Sequence, residues 1–387
     1  MSDPTRPLPD HLARVFEAGL QRRRLGPRGR YAPSPTGPLH LGNLSTALVS
    51  WLVARLQGGE WLLRLDDLDR PRNRPGAIEA ILSDLSWLGL GWDGAPVLQS
   101  ERRGLYASTL SWLRRSGALY PCRCSRRLLA DISAPHGALA VYPGTCSGLD
   151  PAWGPLAGRL PSWRLRLPAG RLQWQERLAP GGELHGASQV GDVVLRRADG
   201  LVAYHLATAV DELGLGISDV VRGHDLWQAT GAQVAVLAAL GAPAPAYWHG
   251  PLRLDGSGQR LAKRSGAEGL AALRERGLNG PAVVGVLAAD LDLVAPGSRL
   301  SAAELLEDLR HRQVSQQDLK LENSNLEDLS REDLIRENPT IEDLKLQGLK
   351  PGDSKFEGAR HQPLSLEEPL RRLVAAQIAA AGVHHQT

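Results

Sequence analysis

The sequence contains no long apolar run and little cysteine. Its 387 residues include no stretch of about 18 consecutive apolar residues, so we expect no membrane-spanning helix. Acids and prolines precede any apolar run at the amino end, so we also expect no secretory signal peptide. The three cysteines lie close together, and an odd, clustered set argues against a disulfide framework. These absences predict a protein of a reduced, cytoplasmic compartment.

The net charge of +3 is also small, so overall charge does not require a nucleic-acid partner. Positive charge is concentrated at the amino end, where arginines include the run at residues 22–24. We therefore expect residues 1–28 to form an Arg-rich N-terminal extension that is solvated and mobile. A phosphate backbone is the alternative partner for this segment.

The hydrophobic pattern after this extension predicts an α/β fold. A short strand end at residues 30–32 leads through a turn into a helix whose leucines share one face. A buried-strand candidate at residues 61–65 and two helices, at about residues 76–88 and 102–116, come next. This order favours a parallel sheet with crossover helices, as in a Rossmann-like nucleotide-binding domain.

Residues 119–185 differ in composition and are predicted to form an insertion. They contain the cysteines, many prolines and glycines, and short alternating strands. The insertion would separate the two halves of the catalytic domain, residues 29–118 and 186–300. In the second half we expect a hairpin at Asp199-Gly200, followed by further α/β structure.

The composition shifts again after residue 300. Asp or Asn recurs every five residues between 318 and 343, a period that does not fit one face of an α-helix. We therefore expect residues 301–387 to form an acidic, polar C-terminal tail with little structure, apart from one helix at about 370–381.

The first motif that suggests a binding or catalytic role is the junction formed by residues 33–43. Its turn opens a helix with His40 and Asn43 in the first turn, where free N–H groups and the helix dipole attract phosphate. His40 can donate to phosphate oxygens as charge builds in a transition state. Gly42 lacks a side chain and would allow an adenine ring to approach the backbone. An ordinary junction with a capping histidine explains the same residues.

The second motif is a basic loop at residues 260–264, preceded by a hairpin turn at residues 252–256. Lys263 on such a loop can reach a triphosphate and stabilise leaving pyrophosphate. A solvated basic turn is the alternative for this loop considered alone.

The cysteines provide a candidate metal site. Zinc takes four N, O or S ligands in tetrahedral geometry, so three cysteines need a fourth partner. That partner is Tyr142 or His136, and three unligated thiols remain the alternative.

Taken together, these motifs resemble those of class I aminoacyl-tRNA synthetases. Residues 40–43, with the sequence HLGN, are similar to the HIGH signature, and residues 260–264 are similar to the KMSKS loop. Residues 30–37 and 64–69 are similar to the glutamyl branch of the family. Within that branch, the chain is most similar to short paralogues without an anticodon-binding domain. Those paralogues activate glutamate without tRNA and attach it to queuosine in the anticodon of tRNA(Asp).

The resemblance implies a role for each matching residue. ATP, with Mg²⁺, would be bound by His40, Gly42, Asn43, Arg260, Leu261 and Lys263, and His40, Asn43 and Lys263 would be catalytic. Glutamate needs an acid for its ammonium group and arginines for its carboxylates, and the matching positions are Arg30, Ser34, Asp66, Tyr204 and Arg222. One structural zinc ion would be bound by Cys122, Cys124, Tyr142 and Cys146. The expected partners are ATP, L-glutamate and queuosine-bearing tRNA(Asp), with no membrane, and the protein is expected to be a monomer.

The sequence departs from the family pattern at three places. Asp66 stands where the family usually has glutamate, which shortens the side chain by one methylene. Arg260 and Ala262 replace the usual lysine and small polar residue of the basic loop. The spacing from Cys124 to Tyr142 is also longer than usual.

Three alternative functions follow from these features. One is a truncated glutamyl-tRNA synthetase that charges tRNA(Glu), although the residues after the basic loop are too few and too polar for an anticodon-binding region. Another is a non-catalytic RNA- or nucleotide-binding relative. The last is adenylation of a different acid, because Asp66 alters the ammonium site.

Overall fold

Helices and parallel strands alternate in the first half of the chain. The structure is a computed structural model that describes residues 6–125, 141–149, 153–179, 181–250 and 270–312. The helices are α1 (Asp10–Leu25), α2 (Leu41–Leu56), α3 (Ala77–Trp87), α4 (Arg103–Arg115), α5 (Tyr204–Gly214), α6 (Trp227–Ala239), α7 (Leu270–Glu275) and α8 (Gly280–Ala289), with a further helix, α9, at residues 302–312. The strands are β1 (Arg28–Tyr31), β2 (Glu60–Leu65), β3 (Val97–Leu98), β4 (Leu119–Cys122), β5 (Ser162–Leu165), β6 (Arg171–Trp174), β7 (Gly182–His185), β8 (Val193–Arg196), β9 (Asp219–Gly223) and β10 (Ala246–Gly250).

The central sheet is parallel, as the sequence predicts. Strand β2 pairs in parallel with β1 and with β3, and β9 pairs in parallel with β10. The backbone N–H of Ser218 donates to the carbonyl of Arg28 at 2.9 Å, so β9 lies beside β1. The strand order is therefore β3-β2-β1-β9-β10, the Rossmann-like arrangement in which later strands extend the sheet beyond β1.

Two hydrophobic cores lie on opposite faces of this sheet. Val220 of β9 and Tyr247 of β10 belong to one core, whereas the next residues, Val221 and Trp248, belong to the other. This split follows from the alternation of side chains along a strand. Helices α2, α3, α8 and α9 contribute to the core that contains Trp248, and α1, α4, α5 and α6 contribute to the other.

A smaller antiparallel region follows α4. Strands β4, β5 and β8 form one sheet, and β6 pairs with β7 in a hairpin. Because β8 pairs with β5, this sheet extends beyond the predicted end of the insertion at residue 185. The predicted turn at Gly200 is present, with φ of 88°, but the second arm of the hairpin is reduced to one bridge between Val202 and Arg196. Tyr204 already begins α5.

The prediction of a mobile N-terminal arm is wrong for the described part of residues 1–28. Residues 10–25 form α1, whose Leu12 and Phe16 are buried in the core that α5 also lines. Arg23 donates to the carbonyls of Pro243 at 2.8 Å and Glu212 at 3.3 Å. The basic run therefore forms part of the folded domain, because its helix has an apolar face in addition to its arginines.

The predicted start of the polar tail at residue 301 is also wrong. Helix α9 buries Ala302, Leu305, Leu306 and Leu309 in the core shared with α2. The acidic repeat and the predicted helix at 370–381 lie outside the described residues, as do His136 and the basic loop with Arg260, Leu261 and Lys263. None of the helices in the described ranges is long and apolar enough to cross a membrane.

Helices α1 and α5 lie close together at Gly19, which gives a test of the packing of α1. A Cβ atom at Gly19 would lie 1.9 Å from the carbonyl oxygen of Leu213, a backbone atom that cannot move aside. We expect Gly19→Ala to lower the free energy of unfolding by about 1–3 kcal/mol, the usual cost of overpacking a core. Urea unfolding followed by circular dichroism measures this change.

The matched control is Gly26→Ala, in the same segment, because a Cβ atom there meets nothing within 4 Å. Equal stability of the two variants would contradict the packing of α1 on α5.

Candidate nucleotide and amino-acid site

The first turn of α2 lies after the carboxyl end of β1, the edge at which parallel α/β sheets bind ligands. His40 is the N-cap residue, and its Nδ1 accepts from the backbone N–H of Asn43 at 3.3 Å. The Asn43 side chain accepts from the backbone N–H of His40 at 3.5 Å, which completes a reciprocal capping box. The predicted pair His40 and Asn43 is therefore brought together, with the capping role that the sequence also allowed.

Gly42 leaves room for the imidazole ring of His40. A Cβ atom at Gly42 would lie 3.1 Å from both Nδ1 and Cε1 of the imidazole ring. A glycine at this position leaves the ring room to lie against the first turn of the helix. This contact adds a second reason for glycine, beside the close approach of an adenine ring that the sequence suggested.

Arg30 of β1 is buried and paired with an acid that the sequence analysis missed. Its Nη2 and Nε atoms donate to Oε1 of Glu212, at 3.0 and 3.2 Å, and its Nη1 atom donates to the carbonyl of Val221. The other carboxylate oxygen of Glu212, Oε2, is buried and has no partner among the described residues. Burial, above all, lowers the pKa of Arg30, and the nearby cations Arg64 and Arg222 lower it further.

Asp66 is held by the arginine two residues before it. Nε of Arg64 donates to Oδ1 of Asp66 at 2.7 Å, and Nη2 donates to Oδ2 at 3.1 Å, so both carboxylate oxygens are engaged. The two side chains are 1% and 9% exposed. The shorter side chain at this position is therefore drawn onto Arg64. The Nη1 atom of Arg64 is left buried, with no hydrogen-bond partner in the described part of the chain.

A second missed acid, Asp211, organises the cations beside Asp66. It lies 3.8 Å from Nε of Arg64 and accepts from Nε of Arg102 at 2.6 Å. It also accepts from Gln99 and from the hydroxyl of Tyr106, each at 2.8 Å. The sequence does carry a signal for Asp211 and Glu212, since two adjacent acids interrupt the buried residues of an amphipathic helix, α5.

Arg222 of β9 differs from the other buried arginines of the site. Its Nη1 donates to Oε1 of Gln233 at 2.8 Å, its Nη2 to the hydroxyl of Thr230, and its Nε to Nε2 of His249 at 3.3 Å. All three partners lack a carboxylate. In the described ranges, no carboxylate oxygen lies within 4 Å of its guanidinium, although the residue is only 4% exposed. A buried cation with such partners is a natural binding site for a carboxylate ligand.

Two further predicted residues are accessible. Tyr204, the first residue of α5, is 40% exposed, and Ser34 is exposed in the turn after β1. The backbone N–H of Asp66 donates to the carbonyl of Pro33 at 3.0 Å, which fixes this turn beside the acid. The structure therefore brings Asp66, Tyr204 and Arg222 within electrostatic reach of Arg30, with Ser34 on the turn that follows β1.

The three cysteines converge as the sequence predicts. Their sulfur atoms lie within 4.8 Å of one another, and Cys124 and Cys146 are 3.6 Å apart. The hydroxyl oxygen of Tyr142 lies 3.4 Å from Sγ of Cys122 and 3.7 Å from Sγ of Cys124. Ligands at about 2.3 Å from a tetrahedral zinc ion are about 3.8 Å apart. These four side chains therefore fit a zinc ion in both donor type and spacing.

The pKa values of several side chains in this cysteine cluster differ from their ordinary values. Burial raises the pKa of the Cys124 thiol to about 11 and raises the pKa of Tyr142 as well. Burial alone would also raise the pKa of Cys146, but hydrogen bonds from Tyr142 and from the backbone hold it below its ordinary value. A metal ion would have to displace the thiol protons, which couples its binding to proton release.

Comparison with known proteins agrees with this arrangement. Residues 28–288 match the family described as tRNA synthetases class I (E and Q), catalytic domain. A glutamyl-Q tRNA(Asp) synthetase of Parasynechococcus marenigrum (strain WH8102) is 59% identical over 309 residues, which cover 80% of this chain and 98% of the relative. A protein of the same name from Nocardia farcinica (strain IFM 10152) is 46% identical over 282 residues, which cover 71% of this chain and 88% of that protein.

A solved structure is similar as well. The glutamate tRNA ligase of Elizabethkingia meningosepticum, in complex with its amino acid, matches with a TM-score of 0.61 and 26% identity. The match covers 73% of this chain and 64% of that ligase. The resemblance that the motifs indicated is thus confirmed, and the chain belongs to the class I (E and Q) tRNA synthetases, within the group of the glutamyl-Q tRNA(Asp) synthetases.

Proposed function

We propose that this protein is a ligase that activates glutamate with ATP, without tRNA, and transfers it to queuosine in the anticodon of tRNA(Asp). The observation that carries this proposal is the match over 98% of the length of the P. marenigrum glutamyl-Q tRNA(Asp) synthetase. The buried arginines of β1 and β9 support it, because they suit a substrate that carries carboxylates. We also propose that the enzyme is cytoplasmic and monomeric.

The first step joins glutamate to AMP. A carboxylate oxygen of glutamate attacks the α-phosphorus of ATP, the bond to the bridging oxygen of pyrophosphate breaks, and pyrophosphate leaves. No side-chain nucleophile is required, so positioning and charge stabilisation do most of the catalysis. His40, Gly42 and Asn43 would hold ATP from the first turn of α2, and Arg260, Leu261 and Lys263 from the basic loop. Bound Mg²⁺ would neutralise charge on the triphosphate.

The proposed amino-acid pocket contains both positive and negative side chains. Arg30 and Arg222 would attract the carboxylates of glutamate, and Asp66 would attract its ammonium group. Because both oxygens of Asp66 accept from Arg64, the ammonium contact would run through a water molecule. Tyr204 and Ser34, which remain accessible, would contribute hydroxyl groups at the rim.

The second step transfers glutamate to RNA. A hydroxyl of the modified nucleoside attacks the carbonyl carbon of the adenylate, and AMP leaves. We propose that the insertion, with its antiparallel strands, positions the tRNA. Cys122, Cys124, Tyr142 and Cys146 would hold one zinc ion there, whose contribution is structural: four protein ligands leave no open position for a substrate.

ATP–pyrophosphate exchange by the purified full-length chain tests the proposed function. We expect exchange that depends on glutamate and needs no tRNA, with no exchange when aspartate or glutamine replaces it. Exchange only in the presence of tRNA(Glu) would favour a truncated glutamyl-tRNA synthetase. No exchange with any amino acid would contradict the enzymatic proposal and favour a non-catalytic RNA-binding relative.

The role of Asp66 predicts the effect of removing its charge. Asp66→Asn should raise the KM for glutamate at least about tenfold, because hydrogen bonds to charged groups contribute about 1.5–3 kcal/mol. Asp69→Asn is the matched control in the same loop, since Asp69 pairs with the exposed Arg72 and should leave the KM unchanged. Steady-state exchange at varied glutamate measures both. An unchanged KM in Asp66→Asn would remove Asp66 from the proposed pocket.

The zinc assignment predicts metal content and stability. Purified protein should hold about one zinc ion per chain, and Cys124→Ser should lose it, because structural zinc sites use four ligands. Inductively coupled plasma mass spectrometry measures the zinc content. Thermal unfolding should show a lower midpoint temperature for Cys124→Ser than for the unchanged protein. Ser147→Ala, beside Cys146, is the control that keeps every proposed ligand. Full zinc content in Cys124→Ser would refute the ligand set.

A further inference from the structure

A buried acid in the insertion, Glu176, has no part in the chemistry proposed so far. It follows β6, and its carboxylate is fully buried. Its Oε1 atom accepts from the backbone N–H groups of His249 at 3.1 Å and Leu178 at 3.4 Å. Its Oε2 atom lies 2.6 Å from Nδ1 of His249. A buried carboxylate is costly unless its partners compensate it, so its main partner, His249, is of interest.

The backbone fixes Glu176 beside β10. Tyr247 donates its N–H to the carbonyl of Gln175 at 2.8 Å, and Arg177 donates its N–H to the carbonyl of Tyr247 at 2.9 Å. These two bonds make a parallel bridge between Glu176 and Tyr247. The segment that follows β6 therefore lies along β10 of the parallel sheet. Its bridge partner, Tyr247, precedes His249 by two residues.

His249 connects this acid to the buried arginine of the site. Its Nδ1 atom faces Glu176, and its Nε2 atom lies 3.3 Å from Nε of Arg222 and 2.9 Å from the hydroxyl of Thr230. Because Nε of Arg222 can only donate, Nε2 of the ring must accept, and the ring proton is then on Nδ1, where it is donated to Glu176. Geometry alone therefore assigns the tautomer.

The acidities agree with this assignment. Burial lowers the pKa of His249, and the positive charge of Arg222 lowers it further, although Glu176 opposes the change, so the ring is neutral at pH 7. Burial alone would raise the pKa of Glu176, but hydrogen bonds from the His249 side chain and backbone hold it below its ordinary value, so it is ionised. The negative charge of Glu176 is thus linked to Arg222 through the neutral imidazole ring of His249.

We propose that Glu176 and His249 are positioning residues that hold Arg222 in the orientation needed to bind a carboxylate of the amino-acid substrate. This inference rests on the proposed role of Arg222 in glutamate binding. An indirect link fits such a role, because a carboxylate in direct contact would occupy the guanidinium, as Glu212 does at Arg30. The insertion thereby supplies, from a distant part of the chain, a determinant of glutamate affinity.

The substitution Glu176→Gln tests the link with no change in shape. The amide oxygen would keep the two backbone N–H groups as donors, so the NH₂ group would face Nδ1 of His249 and the indole N–H of Trp174, which donates to Oε2 of Glu176 at 3.4 Å. His249 would then change tautomer and direct an Nε2–H group at Nε–H of Arg222. Two donors would face each other, and Arg222 would shift.

We expect Glu176→Gln to raise the KM for glutamate about tenfold in ATP–pyrophosphate exchange, which corresponds to about 1.4 kcal/mol. The KM for ATP should stay unchanged, because in the described ranges the Arg222 guanidinium donates to Gln233, Thr230 and His249 and not to the first turn of α2. The matched control is Glu183→Gln in the adjoining strand β7, where the carboxylate pairs with Arg171 and Gln173 at the surface. It should leave both KM values unchanged.

Two variants of His249 separate positioning from mere packing. His249→Gln can place an amide oxygen near the position of Nε2 and keep an acceptor for Arg222. His249→Asn can keep a donor toward Glu176 but leaves Arg222 without that acceptor. We expect glutamate KM to rise more in His249→Asn than in His249→Gln, and thermal unfolding of both variants shows whether each is folded.

The outcomes distinguish this inference from the proposed function. Normal exchange by the unchanged protein, with equal glutamate KM in Glu176→Gln and Glu183→Gln, would overturn the positioning role alone. A lower unfolding midpoint and lower kcat in Glu176→Gln, with unchanged glutamate KM, would show a purely structural carboxylate and overturn it too. Absence of glutamate-dependent exchange by the unchanged protein would overturn both proposals.

Discussion

A buried guanidinium is stable only where acids or hydrogen-bond acceptors replace its water, and this fold buries Arg30, Arg64 and Arg222 in one site. Arg30 and Arg64 meet carboxylates from α5 and from the end of β2. Removing one acid would leave a charge unpaired inside the protein, so the sheet edge, α5 and the turn after β1 depend on one another. The candidate site and the fold are held by the same ion pairs.

Arg222 differs from the other two arginines, because none of its hydrogen-bond partners in the described ranges is an acid. Its hydrogen-bond partners are an amide, a hydroxyl and an imidazole, and its guanidinium lies over the ring of Tyr247, so no acid in the described ranges neutralises its charge directly. Among the described residues, the carboxylate of Glu176 is linked to Arg222 through the ring of His249. An enzyme that binds a dicarboxylic amino acid needs such a group: pre-oriented by neutral partners, yet not already neutralised by an acid.

The position of α5 connects the site to the amino end of the chain. Helix α1 packs so tightly on α5 that Gly19 has no room for a side chain, and Arg23 donates to the carbonyl of Glu212. The N-terminal segment therefore supports the helix that presents Asp211 and Glu212 to the arginines. At the other end of the described chain, α9 completes the opposite core with its leucines.

The sequence by itself determined the local features: the start of α2 at the cap His40, the parallel α/β pattern, and the clustered cysteines with Tyr142. These follow from helical and strand periods and from motifs only a few residues long. Only the tertiary structure decided that Glu212 would pair with Arg30, 182 positions away, and Glu176 with His249, 73 positions away. It also decided that α1 and α9 would each pack against one of the two hydrophobic cores. Such contacts depend on chain topology and on how apolar faces are covered, and no local pattern of residues records which distant partner will meet a buried charge.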